Sequence, residues 1–229
     1  MTRGNFLRVL ALTPVVLLAA CGGNEGESED DARDPRVLVR AAAVGDTAEV
    51  RRLLAAGADV DGRTAAGRTA VTAAALGDHV ETARLLVDGG ADVDLQDDDR
   101  NNPLLVCGET GSVAMLRTVL RGQPDLTATN RFGGTALIPA SDRGHVAMVR
   151  ALLETEIDVD HVNHLGWTAL LEAVILGEGE APHQEIVRAL VDAGADVDLA
   201  DRDGVTPLQH ARKRGYAEIV RTLEAAGAR

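Results

Sequence analysis

The chain is poor in the residues that usually announce a function. Its 229 residues include only two cysteines, one tryptophan, one tyrosine and two phenylalanines. Lys213 is the only lysine. Too few cysteines are present for a disulfide framework, so an exported body of this composition must be held by its core. Basic residues are outnumbered, 23 against 36 acidic, which argues against nucleic acid and against charge-driven docking on anionic lipid. No serine–histidine–acid arrangement, glycine-rich phosphate loop or pair of buried carboxylates is legible, so nothing points to catalysis. No cofactor is implied.

What is present begins with a leader. Arg3 and Arg8 precede the apolar stretches Val9 to Leu12 and Val15 to Ala20, too short for a membrane span and fitting an export signal. The run Leu18-Ala19-Ala20-Cys21-Gly22 resembles the lipobox of bacterial lipoproteins. That resemblance implies cleavage before Cys21 and lipid on its thiol; an ordinary signal peptide or a membrane anchor is the alternative. Residues 1–20 are then signal peptide, and their removal leaves 21 basic against 36 acidic residues, a net charge of −15. Residues 21–33 form an acidic, glycine-bearing stretch that cannot bury enough apolar surface to order itself, and are expected to be a flexible tether. The expected location is the outer face of a bacterial plasma membrane, or the periplasm-facing or outer membrane where a second membrane exists. Gly22 after the cysteine does not suggest inner-membrane retention.

Residues 34–229 are periodic. Thr69, Asn102, Thr135 and Thr168 stand 33 positions apart, and Thr206 follows once five inserted residues, Glu178 to Pro182, are set aside. A period near 33 marks a stack of small helical units. In the fourth unit a short helix opens at Thr135 and runs to about Asp142, and Gly144 breaks it. Val146, Val149, Leu152 and Leu153 then line one face of a second helix. Neither helix is long enough to stand alone, so each unit must bury its face on its neighbours.

Gly204-Val205-Thr206-Pro207-Leu208 with Gly227-Ala228, Gly166-Trp167-Thr168-Ala169-Leu170 with Gly194-Ala195-Asp196-Val197, and Gly67-Arg68-Thr69-Ala70-Val71 with Gly90-Ala91-Asp92-Val93 resemble the ankyrin repeat. The resemblance implies an all-α solenoid of about six helix-turn-helix units with hairpin loops, covering residues 34–229. Threonine at the start of each first helix is expected to cap it, and Gly57, Gly90, Gly194 and Gly227 to close the second. Gln123 and Glu156 replace that glycine in the third and fourth units, and Pro139 should cost its helix a hydrogen bond. The middle of the stack is therefore expected to be its least regular part. Arg36, Arg40, Arg51 and Arg52 at one end and Gln209, Arg212, Lys213 and Arg214 at the other read as polar caps.

Binding in the ankyrin family uses the hairpin tips and the exposed face of the first helices. Carried onto this chain, that surface comprises Arg131, Phe132, His164, Leu165 and Trp167 on the tips. Asp142, Arg143, Ile175 and Leu176 line the adjoining helical face. After Cys21 only Phe132, Trp167 and Tyr216 are aromatic, and two of these three fall on consecutive tips. Packing of Trp167 and Leu165 on the next helix near Ile175 and Leu176 is the competing reading, and the two can coexist. The acidic insertion reads as tolerated length or a second contact.

Asp196, Asp198, Asp201 and Asp203 lack the order of a calcium loop, and hairpin aspartates usually bind nearby backbone N–H groups. The same reading applies to Asp97, Asp98 and Asp99, and His161 and His164 with Asp160 are read as tip residues rather than a zinc site. Cys107, at an alanine-type position, is expected to be a buried structural thiol. The expected function is therefore a non-catalytic module that is monomeric, lipid-anchored through Cys21 and bound to an unidentified protein, as accessory or inhibitor of an envelope enzyme. A spacer without a discrete partner and a metal or small-molecule binder are the alternatives.

Overall fold

The computed structural model describes residues 34–229; the leader, Cys21 and the acidic tether lie outside the described residues. These residues form twelve helices and no strand. They pair as six units: α1 (Pro35–Ala43) with α2 (Thr47–Ala55), α3 (Ala70–Leu76) with α4 (Val80–Asp88), and α5 (Pro103–Thr110) with α6 (Val113–Leu120). The series continues with α7 (Leu137–Asp142) and α8 (Val146–Leu153), α9 (Ala169–Ile175) and α10 (Ala181–Asp192), and α11 (Pro207–Arg214) and α12 (Ala217–Ala225). None of the helices is long and apolar enough to cross a membrane.

Odd-numbered helices pack on one another in an inner layer and even-numbered ones in an outer layer. Helices of 6 to 12 residues are not stable alone, so inter-unit packing must hold them. Two side-chain columns do so. Ala74, Cys107, Ala140, Ala173 and Ala211 recur at one inner position, all fully buried, and their size lets adjacent inner helices close up. Leu53, Leu86, Val119, Leu152, Leu190 and Leu223 form the outer column, again fully buried. Each such leucine contributes about 1.5–3 kcal/mol by leaving water. Burial pushes the Cys107 thiol up to about 12, helped by the charge of Asp78, so it is an inert filler.

Polar side chains add two ladders along the stack. On the hairpin side, the Asp61 carboxylate accepts the Asp92 N–H at 2.8 Å, Asp94 accepts Asp125 at 2.8 Å, and Asp160 accepts Asp196 at 2.9 Å. Asp198 completes this ladder with Arg229 at 2.9 Å. On the side of the short inter-helix loops, ring N–H groups of His79, His145 and His183 donate to the carbonyls of Ala43, Glu109 and Asp142 in the preceding unit. Tyr216 holds the same repeat position, and its hydroxyl donates to Gly177 O at 3.0 Å. The longer phenol reaches across the enlarged loop of the fifth unit. Gly179 of the insertion lies against the Tyr216 ring, and Gln184 ties down its carbonyl at 2.8 Å, while the rest of the insertion stays exposed.

Thr69, Asn102, Thr168 and Thr206 cap their helices by accepting the N–H three residues on, as their spacing implies. Thr135 does not. In the other four units the next backbone bond runs to the capping carbonyl, for example Ala73 N to Thr69 O at 3.1 Å and His210 N to Thr206 O at 3.0 Å. Pro139 occupies that donor position and has no N–H. Ile138 N therefore turns to Thr135 O at 3.2 Å, and the Thr135 hydroxyl is left buried without a partner. The expected cost of Pro139 is real, and it takes the threonine cap with it.

The closing turns diverge as the sequence implies. Gly57, Gly90, Gly194 and Gly227 adopt φ between 87° and 91°, and the following alanine N–H returns to the helix at 3.0 Å in each case. Gln123 takes the left-handed conformation without being glycine, at φ 54°, and Pro124 after it has no N–H to return. The fourth unit abandons that geometry. Thr155 Oγ1 donates to Leu152 O at 2.6 Å and accepts the Ile157 N–H at 3.3 Å.

Candidate partner-binding face

Four hairpins are built around one recurring acceptor. The side chains of Asp97, Asn130, Asn163 and Asp201 each accept the N–H groups two and four residues on, at 2.9–3.1 Å. Asn130 thereby fixes Phe132, and Asn163 fixes Leu165 and Trp167. Successive tips are tied together, with His164 N donating to Phe132 O at 2.9 Å and the His161 ring to Gly133 O at 2.7 Å. This organisation comes from Asn130 and Asn163, which sequence reading passed over. Their signal was an aspartate or asparagine at one repeat position in four units.

The fixed tips leave apolar side chains in water. Phe132 is 56% exposed, Leu165 52% and Leu176 48%. A cavity of about 250 Å³ runs between them, with Ile138, Pro139, Asp142, Asn163 and Glu172 also on its walls. A second hollow of about 350 Å³ adjoins it, sharing Phe132 and Arg143 and adding Arg131 and Leu76. Of six large apolar side chains exposed among the described residues, four line these two hollows, making one patch rather than scattered exposure.

Among the residues singled out from sequence, Phe132, Leu165, Asp142, Arg143 and Leu176 therefore meet at one cavity, and Arg131 at its neighbour. His164 is exposed, Trp167 and Ile175 are half-buried, and none of the three lines either hollow. Both arginines are engaged. Arg131 lies 4.9 Å from the centre of the Phe132 ring and 3.4 Å from Asp99, and Arg143 pairs with Glu109 at 2.5 Å.

Glu172 was not anticipated. It stands where other inner helices carry Ala73, Val106, Pro139 or His210, yet it is only 7% exposed. Burial, with the nearby charges of Asp142 and Glu109, pushes its carboxyl up to about 7. Asn163 Nδ2 donates to its Oε1 at 2.7 Å, partly offsetting that rise. A buried carboxylate beside a second one is thus present where the sequence had revealed no such pair. Only the hairpin fold brings Asn163, Asp142 and Glu172 together.

The hairpin aspartates serve the backbone. Asp196, Asp198 and Asp201 accept N–H groups, the Asp160 carboxylate is used by Asp196, and Asp203 only donates its own N–H to Asp201. Among the described residues no group of three or more His, Cys, Asp or Glu side chains could hold a metal ion.

A stack of paired helices with rigid hairpins and an exposed apolar face is a repeat scaffold of the protein-binding class. The chain belongs to the ankyrin repeat family: the family model for ankyrin repeats (3 copies) matches residues 38–130 and 119–201. It is 42% identical over 195 residues to the ankyrin repeat protein YahD of Escherichia coli (strain K12), covering 85% of this chain and 97% of that one. The crystal structure of an ankyrin repeat domain from Acinetobacter baumannii AYE is 47% identical with a TM-score of 0.82, covering 84% of this chain and 98% of that one. The ankyrin repeat domain of human ASB11 is 27% identical with a TM-score of 0.70, over 84% of each chain. Ankyrin repeats are protein-interaction modules and, in general, non-catalytic scaffolds.

Proposed function

We propose that this protein is a lipid-anchored binding module of the bacterial envelope, tethered through Cys21. It holds one protein partner on the face formed by the third, fourth and fifth units. The observation that carries this reading is the apolar patch of Phe132, Leu165, Leu176 and Leu76 on hairpins immobilised by Asn130 and Asn163. A pre-ordered face loses little conformational entropy on association, so modest contact area suffices for specific binding. Arg131 over Phe132 supplies the aromatic and arginine pairing that dominates many interfaces. The anchor and the envelope location rest on the lipobox-like Leu18 to Gly22, and the accessory or inhibitory role rests on family analogy alone.

The experiment is a cross-linked pull-down from host membranes with wild type, Phe132→Ala with Leu165→Ala, and Phe132→Ala with Trp167→Ala. Both double variants are expected to fold, since Phe132 and Leu165 are exposed and Trp167 lies outside the packed core. One protein lost from both variants is the expected result. Identical recovery from all three samples would sink the reading and leave a spacer role. Fractionation of Cys21→Ser tests the anchor separately, with release from the membrane expected.

A further inference from the structure

The cavity between Phe132, Leu165 and Leu176 has apolar walls but a charged floor, and its charge is not balanced from within. Glu172 Oε1 is held by Asn163, while Oε2 makes no hydrogen bond among the described residues. The Asp142 carboxylate likewise has no ion pair or hydrogen bond there; only its backbone carbonyl is engaged, by His183. The nearby cations are committed elsewhere, Arg143 to Glu109 and Arg131 to Asp99. Three acidic side chains, Glu109, Asp142 and Glu172, therefore line one hollow with a single cation, Arg143, which is paired to Glu109; Glu172 is more than nine-tenths buried, and neither it nor Asp142 has an ion pair.

Stacking does not call for this arrangement. The same inner-helix position is filled by Ala73 and Val106 in complete units, and the hairpin is already organised by the Asn163 Oδ1 atom. A bare carboxylate behind apolar walls is costly until a cation arrives, and then its interaction is strengthened by the low local dielectric. The mouth is framed by side chains suited to an alkyl stem, with Leu165 and Leu176 on one part and Phe132 on another. Long basic side chains combine such a stem with a charged head.

We infer that the Glu172–Asp142 cavity is a socket for a single basic side chain, arginine or lysine, presented by an apolar segment of the partner protein. The inference rests on the binding-face reading above and gives that face its chemical selectivity. The stem lies against Leu165, Leu176 and Phe132, and the head donates to Glu172 Oε2 and to the Asp142 carboxylate. Glu172 gives up its proton as the cation enters, so binding near neutral pH is accompanied by proton release.

The test uses the full chain and three capped tripeptides, acetyl-Leu-Arg-Leu-amide, its lysine counterpart and its citrulline counterpart, the last having nearly the same shape without charge. Titration followed at the backbone amides of Phe132, Leu165 and Leu176 is expected to show a charged peptide binding at least about tenfold more tightly than citrulline. Whichever of arginine and lysine binds better identifies the head group. Glu172→Gln keeps an acceptor for Asn163 and so preserves the hairpin brace, yet is expected to reduce the preference for charge about tenfold. Asp142→Asn should act in the same direction. Calorimetry of the charged peptide in buffers of different ionisation enthalpy should register proton release with wild type and none with Glu172→Gln. Equal affinity for charged and citrulline peptides, no binding of any peptide at millimolar concentration, or an unchanged preference in Glu172→Gln would each overturn the inference. Partner capture that survives this result but is lost in Phe132→Ala with Leu165→Ala would leave the binding face standing without its socket. Charge-selective peptide binding alongside unchanged partner capture would instead keep the socket and remove the partner reading.

Discussion

The second and fifth units and the third and fourth units share one backbone but are held differently. In the outer pair, threonine caps the first helix, glycine closes the second, and histidine and aspartate rungs run to neighbours. In the middle, Ser112 replaces the histidine and Thr127 replaces the aspartate, so each ladder loses one rung. Thr135 is an orphan, Gln123 sits in a conformation better suited to glycine, and Thr155 improvises a closure. The stack continues regardless, because Leu86, Val119 and Leu152 keep the outer apolar column unbroken. Packing carries the fold, and the polar devices adjust local rigidity. The candidate binding face lies over the third-to-fourth junction, which lacks the aspartate rung but keeps the His145 bond to Glu109.

If packing dominates even there, the most damaging change in the middle is one that forbids close approach. Gly108 lies in α5 where Ala75 and Ser141 stand in neighbouring units, and a Cβ on it would meet the backbone oxygen of Ala136 at 2.3 Å. Backbone cannot step aside as a flexible side chain can. Gly108→Ala is expected to lose about 2–3 kcal/mol in chemical denaturation. Gly57→Ala, where a Cβ enters open space, should cost only the strain of its positive φ, about 1–2 kcal/mol. Equal losses would mean that the middle is looser than its packing implies.

A smaller effect separates the two regions by pH. The Glu172 carboxyl is raised from its ordinary 4.5 to about 7, so the folded chain holds a proton that the unfolded chain has already released. The contribution of Glu172 is therefore full below pH 4.5, is lost as pH rises towards 7, and is level above that. The loss is on the order of 2 kcal/mol, reduced from the full shift because one oxygen opens onto the cavity. Glu172→Gln should flatten the midpoint between pH 5 and 8. Asp34, Glu49, Asp125 and Glu218, whose carboxyls are lowered chiefly by hydrogen bonds from Arg36, Arg52, Thr127 and Arg221, lose their contributions only at more acidic pH. A slope that persists in Glu172→Gln would assign it elsewhere.

These two regions also mark how far the sequence could be read. Period, unit number and the weak middle were all legible, because each follows from residues a fixed distance apart, and Pro139 needed only its missing N–H. Phe132, Leu165 and Leu176 were named because they fall at the hairpin-tip and first-helix positions that the ankyrin resemblance implies, and each is exposed. Glu172 was not, since its meaning depends on Asn163 nine residues earlier and Asp142 thirty positions away, which no helical period relates. The position of Trp167 was less legible. Its size drew attention, but the turn set by Asn163 leaves it half-buried and away from the cavity.

The finest test of the comparison restores one missing rung. Thr127 occupies the position of Asp61, Asp94, Asp160 and Asp198, and it bonds only within its own hairpin, donating to Asp125 at 2.7 Å. Thr127→Asp places a carboxylate where the other rungs accept the N–H of the next unit, here that of Asp158. The neighbouring acidic residues, Asp125 and Asp158, recreate the surroundings that intact rungs already tolerate, such as Asp94 between Asp92 and Asp125. The net gain expected is about 0.5–1 kcal/mol, with slower hydrogen exchange at the Asp158 amide and little change at Asp92. The reciprocal Asp94→Thr should remove a similar amount and speed exchange at Asp125. If both substitutions leave exchange untouched, the ladders merely decorate the stack, and the regularity of the outer units has no mechanical consequence. If both respond while partner capture weakens only in Thr127→Asp, then looseness at the third-to-fourth junction is itself part of how the face receives its ligand.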